Sequence, residues 1–283
     1  MPLVEYDFKA LFGSEQFKDF GYIDAEQSLR VVYPLATQQF PIGYISDKNT
    51  PEGQGRDVIN QTLGTKFGLI YHLRLSFNDD RNSVIVVESE PEDVIKQLGG
   101  RQRPSVSYDC GGLIIPRNSE SPFVVETFVG DCACIVVRSD RWIGYMHVGR
   151  PEIMAELNLI ENFFKLWPAK AEETRVWVGP CIGGSHYELS EIPEKFKAYT
   201  IQTIWYTQGF DLMNAISDQI SASNKIEDIR QTVTVERIDP FLVNGKFNDH
   251  SWAASDQWYR RKGKELGFPI FSPRNSAMLF VEG

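Results

Sequence analysis

The apolar positions of this chain fall into short runs over its first half and middle, and into a longer periodic stretch after residue 150. Leu29-Arg30-Val31-Val32-Tyr33 reads as strand, followed by loop to about residue 46. The segment Lys48 to Gly55 is rich in turn formers. From Asp57 to Phe67, Val58, Leu63 and Phe67 recur near helical spacing, so a helix is expected there. Val84-Ile85-Val86-Val87 is a continuous apolar run of the kind found in strands buried on both faces. Pro91 to Leu98, with early acidic residues and Gly99-Gly100 behind it, reads as a short helix with a glycine stop.

Four β-branched or aromatic runs then follow in quick succession: Leu113–Ile115, Phe123–Val125, Cys134–Val137 and Trp142–Met146. Polar and glycine turns separate them, and each is expected to be a strand. Between Glu152 and Leu166 the apolar side chains Ile153, Met154, Leu157, Ile160, Phe163 and Phe164 mark one face of a single amphipathic helix, with Pro151 in its first turn. Val176-Trp177-Val178 is the next strand. Residues 193–230 are expected to be helical, with Phe210, Leu212, Ile216 and Ile220 on the buried side. Thr232–Val235 and Met278–Val281 read as strands, the second closing the chain. No repeat, low-complexity segment or obvious linker divides the sequence, so one domain over residues 1–283 is expected.

Composition adds limits. The chain has 283 residues, ample for a sizeable core, and its 42% hydrophobic and 24% charged content is that of a soluble globular protein. A net charge of −9 argues against nucleic acid as a partner, because that affinity comes from Lys and Arg displacing counterions. The start, Met1-Pro2-Leu3-Val4-Glu5-Tyr6-Asp7, lacks the basic and apolar regions of a signal peptide, and no apolar stretch is long enough to span a bilayer. The four cysteines, Cys110, Cys132, Cys134 and Cys181, form no C-x-x-C pair. They are expected to be reduced, in a cytoplasmic protein without a membrane partner.

The candidate chemistry sits where two expected strands meet. Asp131-Cys132 opens one strand, and His147 closes the next, fifteen residues later, before a glycine turn. Antiparallel pairing would set the thiol beside the imidazole. Such a pair serves either as a nucleophile with its base or as two ligands of an open zinc site. The plain structural roles are equally definite: a buried Cys packs as a small hydrophobe, and a His beside a turn is often a hydrogen-bonded core residue.

Several segments, in order, carry a resemblance to a known family. Tyr108-Asp109-Cys110-Gly111-Gly112-Leu113-Ile114 is similar to an "ADGLV" motif, and Val129-Gly130-Asp131-Cys132-Ala133-Cys134-Ile135-Val136-Val137 to an "ADC-L-P-V" strand. Gly144 to Arg150 resembles an "A-H-A-G-W-R" turn. Val178 to Gly183, with His186-Tyr187-Glu188-Leu189, resembles "GPCIG…YEV", and Trp258 to Gly263 resembles "SYRRDG". Together, over about residues 105–265, they resemble the laccase-domain, YfiH-like family of purine nucleoside phosphorylases. The N-terminal third carries little of the likeness.

That resemblance implies an α+β fold, with central mixed β-sheets flanked by helices. It also implies a zinc-dependent enzyme that splits adenosine, inosine or methylthioadenosine with phosphate, in some members with adenosine deaminase activity. By position, Cys132 and His147 would be metal ligands and catalytic residues, with Asp80 standing where the family's "QVHG" histidine belongs. His186 is an alternative third ligand, while His72 and His250 have no motif around them. Arg150 is the candidate phosphate contact, although the tryptophan before the family's arginine is missing here. Gly179, Gly183 and Gly184 are candidates for a backbone-lined pocket, and Arg260 and Arg261 for substrate contacts or surface ion pairs. The family's Cys-Thr pair near the C-terminus is replaced by Pro240-Phe241, and the "GR" after the YRR motif by Gly267-Phe268.

A complete multicopper set is excluded by counting, because oxygen reduction needs copper sites rich in imidazole and only four histidines exist. Two other readings stay open. One is a metal-free Cys-His hydrolase or deamidase, since the family fold is similar to that of toxin deamidases with this dyad. The other is a non-catalytic relative that binds a nucleoside or a protein.

Overall fold

A computed structural model describes residues 17–24, 29–34, 71–76, 81–88, 105–117, 123–156, 158–179, 181–223, 242–243, 246–247 and 275–281. The helices expected over 57–67 and 91–98, the strand 232–235, and Asp80, His250, Arg260 and Arg261 lie outside those residues.

Two mixed sheets form the centre. The first takes β1 (Phe17–Asp24), β2 (Leu29–Pro34), β3 (Tyr71–Ser76), β5 (Ser105–Asp109), β7 (Phe123–Val129) and β15 (Asn275–Val281), in the order β1-β2-β15-β7-β3-β5. The second takes β4 (Val84–Val86), β6 (Gly112–Pro116), β8 (Ala133–Arg138), β9 (Trp142–Val148) and β10 (Arg175–Val178), in the order β10-β8-β9-β6-β4. Parallel pairs are confined to β3 with β5 and β7, and β4 with β6; the other pairings of these two sheets are antiparallel.

The continuous apolar runs of the second sheet have a simple cause: both of its faces are covered. Leu113, Ile115, Cys134, Val136, Ile143, Tyr145 and Trp177 join one cluster with Leu73, Phe123, Val125 and Leu279 of the first sheet. The alternate residues Ile114, Ile135, Val137, Met146 and Val148 join a second cluster with helical side chains. Tyr145 also donates its hydroxyl to the Ala277 carbonyl of the opposite sheet at 2.7 Å.

The helix expected over 152–166 is two helices, α1 (Arg150–Met154) and α2 (Leu159–Leu166). Asn158 explains the break. Its Oδ1 accepts from the N–H groups of Ile160 and Glu161 at 2.8 and 3.3 Å, which caps a new helix, while the first has already ended at the extended Ala155. Periodicity identified the buried face but not this cap. Phe163 lies so close to β9 that a Cβ on Gly144 would stand 2.2 Å from its ring, so glycine is what lets α2 settle on the sheet.

Residues 193–223 also depart from the helical expectation. They form a 3-10 turn (Glu194–Tyr199), a hairpin of β11 (Thr200–Gln202) and β12 (Gln208–Phe210), and only then α3 (Leu212–Ala222). The run Thr200 to Thr207 is β-branched and aromatic, which favours the hairpin, and Asp211 caps α3 through the Asn214 N–H. Phe210, Leu212, Ile216 and Ile220 are nevertheless all buried, as the sequence pattern requires. A further pair, β13 (Leu242–Val243) and β14 (Lys246–Phe247), closes the described elements.

Candidate functional site

The site grows from the antiparallel pairing of β8 with β9. Cys134 faces His147 and Ala133 faces Val148 in that register. One step beyond the strands, Cys132 meets Gly149: a Cβ on Gly149 would lie 2.3 Å from the Cys132 Sγ. Only glycine allows so close an approach at this point. The pairing that was expected to bring Cys132 and His147 to one end of a strand pair is therefore present.

His147 is 8% exposed and fixed from the opposite sheet. Its Nδ1 lies 3.2 Å from Thr127 Oγ1, which stands on β7 between Val125 and Val129 of the inter-sheet cluster. Its backbone N–H donates to the Gly111 carbonyl at 3.0 Å. With Nδ1 engaged, a bond from this ring to a ligand runs through Nε2, the arrangement by which a neighbour sets an imidazole's tautomer and orientation.

Glu152 is the unanticipated member. It is 2% exposed, at the start of α1, and its Oε2 accepts the Gly149 N–H at 2.8 Å. The same oxygen would lie 3.1 Å from a Cβ on Gly149, so the carboxyl and the Cys132 thiol share one side of that glycine. Burial pushes the Glu152 carboxyl above its ordinary range; backbone hydrogen bonds and the Arg81 guanidinium pull the other way. Tyr187 closes the group. Its phenol, 7% exposed, is pushed well up by burial first, then by Cys132 and Asp131, while Arg150 opposes this and Glu152 adds to it. Tyr187 was visible in the sequence as part of the "YEV"-like motif but was not read as a site residue. Glu152 carried only the signal of an acidic first turn.

Asp131 is buried, and its carbonyl accepts the Ile182 N–H at 3.0 Å. Gly179 is buried too, with its N–H donated to the Cys134 carbonyl at 2.8 Å, so that amide is spent on continuing the β10–β8 pairing. Gly183 is half-buried and opens the 3-10 turn Gly184–His186. His186 is buried in that turn, with Nδ1 3.0 Å from Ser185 Oγ and the ring edge-on to Trp205. Among the described residues no three His, Cys, Asp or Glu side chains are grouped so as to hold a metal ion, so His186 does not complete a set with Cys132 and His147. His72 lies in β3, in the other sheet from His147. None of the four cysteines forms a disulfide.

Arg150 is exposed and makes no hydrogen bond or ion pair among the described residues. It lines an open cleft of about 780 Å3 with Pro151, Met154, Ile192, Lys197 and Gln208. Ser190, Glu191, Pro193 and Glu194 complete its lining, and Cys132, His147, Glu152 and Tyr187 are not part of it. Among the described residues no helix is long and apolar enough to cross a membrane.

Comparisons with known proteins bear on the fold and on the segment that carries these residues. A family model described as multi-copper polyphenol oxidoreductase laccase matches residues 102–239. No curated protein matches the chain. Among solved structures, YfiH of Bacillus licheniformis is 12% identical with a TM-score of 0.61, covering 92% of this chain and 95% of its own. YlmD of Geobacillus stearothermophilus is 15% identical with a TM-score of 0.59, covering 90% and 93%. A Neisseria meningitidis protein described under the family model DUF152 is 13% identical with a TM-score of 0.58, covering 95% and 100%. At such identities the structural likeness speaks for the fold alone, and the matched segment contains Cys132, His147 and Tyr187. Residues 102–239 match that family's model, and the chain has the α+β fold of YfiH-like proteins.

Proposed function

We propose that this chain is a zinc-assisted purine nucleoside phosphorylase, acting on adenosine, inosine or methylthioadenosine, with adenosine deamination as a second outcome at the same site. The observation that supports the reading is the placement of Cys132 and His147 at the paired ends of β8 and β9, with His147 oriented through Nδ1 by Thr127. A thiolate and an imidazole nitrogen are both zinc donors, so the chemistry of the pair fits the metal. Asp80, which stands where the family's first histidine belongs, is the third donor this reading requires. Bound zinc would supply Lewis-acid polarisation or an activated water.

The protein's own contributions follow from position. Arg150 offers a guanidinium for phosphate at the open cleft, which Lys197, Glu191 and Glu194 also line. The Gly179 amide is already engaged with the Cys134 carbonyl, and the Gly183 carbonyl with the His186 N–H. Arg260 remains a proposed substrate contact by position in its motif alone. Glu152 and Tyr187 are buried beside the thiol, where they hold and orient groups at the closed end of the site.

A second reading, a metal-free Cys-His hydrolase or deamidase, uses the same pair of strand ends without a third donor. Metal analysis of the purified wild type, Asp80→Ala and His147→Ala proteins separates the two. Stoichiometric zinc in the wild type and its loss in both variants supports the phosphorylase reading. A wild type that takes up no zinc from a buffered zinc solution overturns it in favour of the dyad.

A further inference from the structure

A second cation stands at the same end of the second sheet as Cys132 and His147. β4 starts beside the start of β6, with Val84 opposite Gly112, and Gly112 lies opposite Met146 near the end of β9. The start of β8 comes next, with Ala133 opposite Val148. The residues just outside these strand ends therefore share one end of the sheet: Arg81 before β4, Gly111 before β6, Cys132 before β8 and Gly149 after β9. Arg81 is held there through its backbone. A Cβ on Gly111 would stand 1.9 Å from the Arg81 carbonyl oxygen, so glycine is what admits this contact. Gly111 and Gly112 both donate their N–H groups to the Ser83 carbonyl at 3.1 Å, which fixes the turn into β4. The Gly111 carbonyl in turn accepts the His147 N–H at 3.0 Å. One glycine thus stands between the backbones of Arg81 and His147.

The Arg81 side chain is exposed, yet its charge is felt inside the site. Burial pushes the Glu152 carboxyl up, and the Arg81 guanidinium is among the groups that oppose this. Glu152 shares one side of Gly149 with the Cys132 thiol, so the field of Arg81 reaches across the strand ends to the dyad. β4 and β9 are separated by β6 alone, a span of about 10 Å at the usual strand spacing, which an arginine side chain and one phosphate ion can bridge between them. Arg150, by contrast, lines the open cleft, of which Cys132 and His147 are no part.

We propose that Arg81 is a specificity-determining residue of the Cys132–His147 site, binding the phosphate group that enters as inorganic phosphate and leaves on the sugar. A guanidinium fork can donate two parallel hydrogen bonds to phosphate oxygens, and its charge offsets the repulsion that the carboxyl groups of Asp131 and Glu152 present to an incoming anion. The identity of the anion rests on the phosphorylase reading; the place of the cation does not.

The test is isothermal titration of the whole zinc-replete protein with inorganic phosphate and, separately, with ribose 1-phosphate. Wild type is compared with Arg81→Ala, Arg81→Lys and Arg141→Ala; Arg141 is an exposed arginine between β8 and β9 at the other end of the sheet. Arg81→Ala should weaken both ligands about tenfold or more, the loss expected for a charge-assisted hydrogen bond. Arg81→Lys should recover part of the affinity, because it keeps the charge and loses the fork. Arg141→Ala should bind as the wild type does. If Arg81→Ala does not fold, Arg81→Gln takes its place with the same expected loss. Unchanged affinity for inorganic phosphate without the Arg81 guanidinium overturns the proposal, as does an equal loss in Arg141→Ala or a wild type that binds neither ligand. A wild type that binds phosphate through Arg81 but releases no base from nucleosides supports this site while the phosphorylase reading falls. Phosphate-dependent base release with unchanged phosphate affinity in Arg81→Ala does the reverse.

Discussion

Thr127 Oγ1 lies 3.2 Å from His147 Nδ1, one on β7 and the other on β9, so a hydroxyl from one sheet orients the imidazole of the other. Thr127→Val keeps the shape and removes the hydroxyl. A buried ring nitrogen without its partner costs about 1–3 kcal/mol, which urea unfolding would register as a lower midpoint. If His147 ligates metal, zinc affinity should fall roughly 10–100-fold as the ring loses its orientation.

Gly149→Ala tests the contact between Gly149 and Cys132. A methyl group cannot sit 2.3 Å from a sulfur, so the Cys132 side chain or the turn must move. Overpacking of this kind costs about 1–3 kcal/mol. The alkylation rate of Cys132, followed by peptide mapping, should change in the variant, while those of Cys110 and Cys134, both fully buried in the core, should not.

Glu152 separates charge from hydrogen bonding. In Glu152→Ala the buried Gly149 N–H loses its acceptor, at a cost of about 1–3 kcal/mol. Glu152→Gln keeps a carbonyl oxygen in the same place, so its stability should lie well above that of the alanine variant in denaturant titrations. Equal destabilisation in both would show that the carboxylate charge, not the accepted hydrogen bond, is what matters.

How far these groups could be read from the sequence alone differs by kind of signal. The apolar runs identified most strands of the second sheet, because that sheet is covered on both faces and tolerates no polar alternation. Cys132 and His147 were legible because strand ends and a glycine turn bracket them. The break at Asn158 was not, because a capping side chain competes with the helix through local hydrogen bonds that hydrophobic spacing does not register. The β11–β12 hairpin hid inside a segment whose buried residues also suit a helix. Glu152 and Tyr187 join the site through tertiary packing across α1 and the turn after Gly183, which neither the acidic first turn nor the "YEV"-like motif registers.

Tyr199 gives the alkaline limb. Its hydroxyl donates to Asp218 Oδ2 at 2.9 Å, and partial burial, the hydrogen bond and the carboxylate charge push the phenol up to about 12. A raised phenol favours the protonated form in the folded protein. The contribution is full below the unfolded phenol's value, near 10, and is lost as pH rises from there through about 12. In a difference titration of tyrosinate absorbance against Tyr199→Phe, the missing component should therefore titrate later than an ordinary tyrosine. A component titrating near 10 would contradict the hydrogen bond to Asp218.

The proposed phosphorolysis of purine nucleosides is assigned to the Cys132–His147 end of β8 and β9. The most direct measurement is release of free base from adenosine, inosine and methylthioadenosine by the zinc-replete protein, with and without phosphate. Base release that requires phosphate, and that disappears in Cys132→Ala and His147→Ala while both variants remain folded, is the predicted result. A folded, zinc-replete wild type that releases no base from any of the three nucleosides, or releases it equally in both alanine variants, would contradict the account.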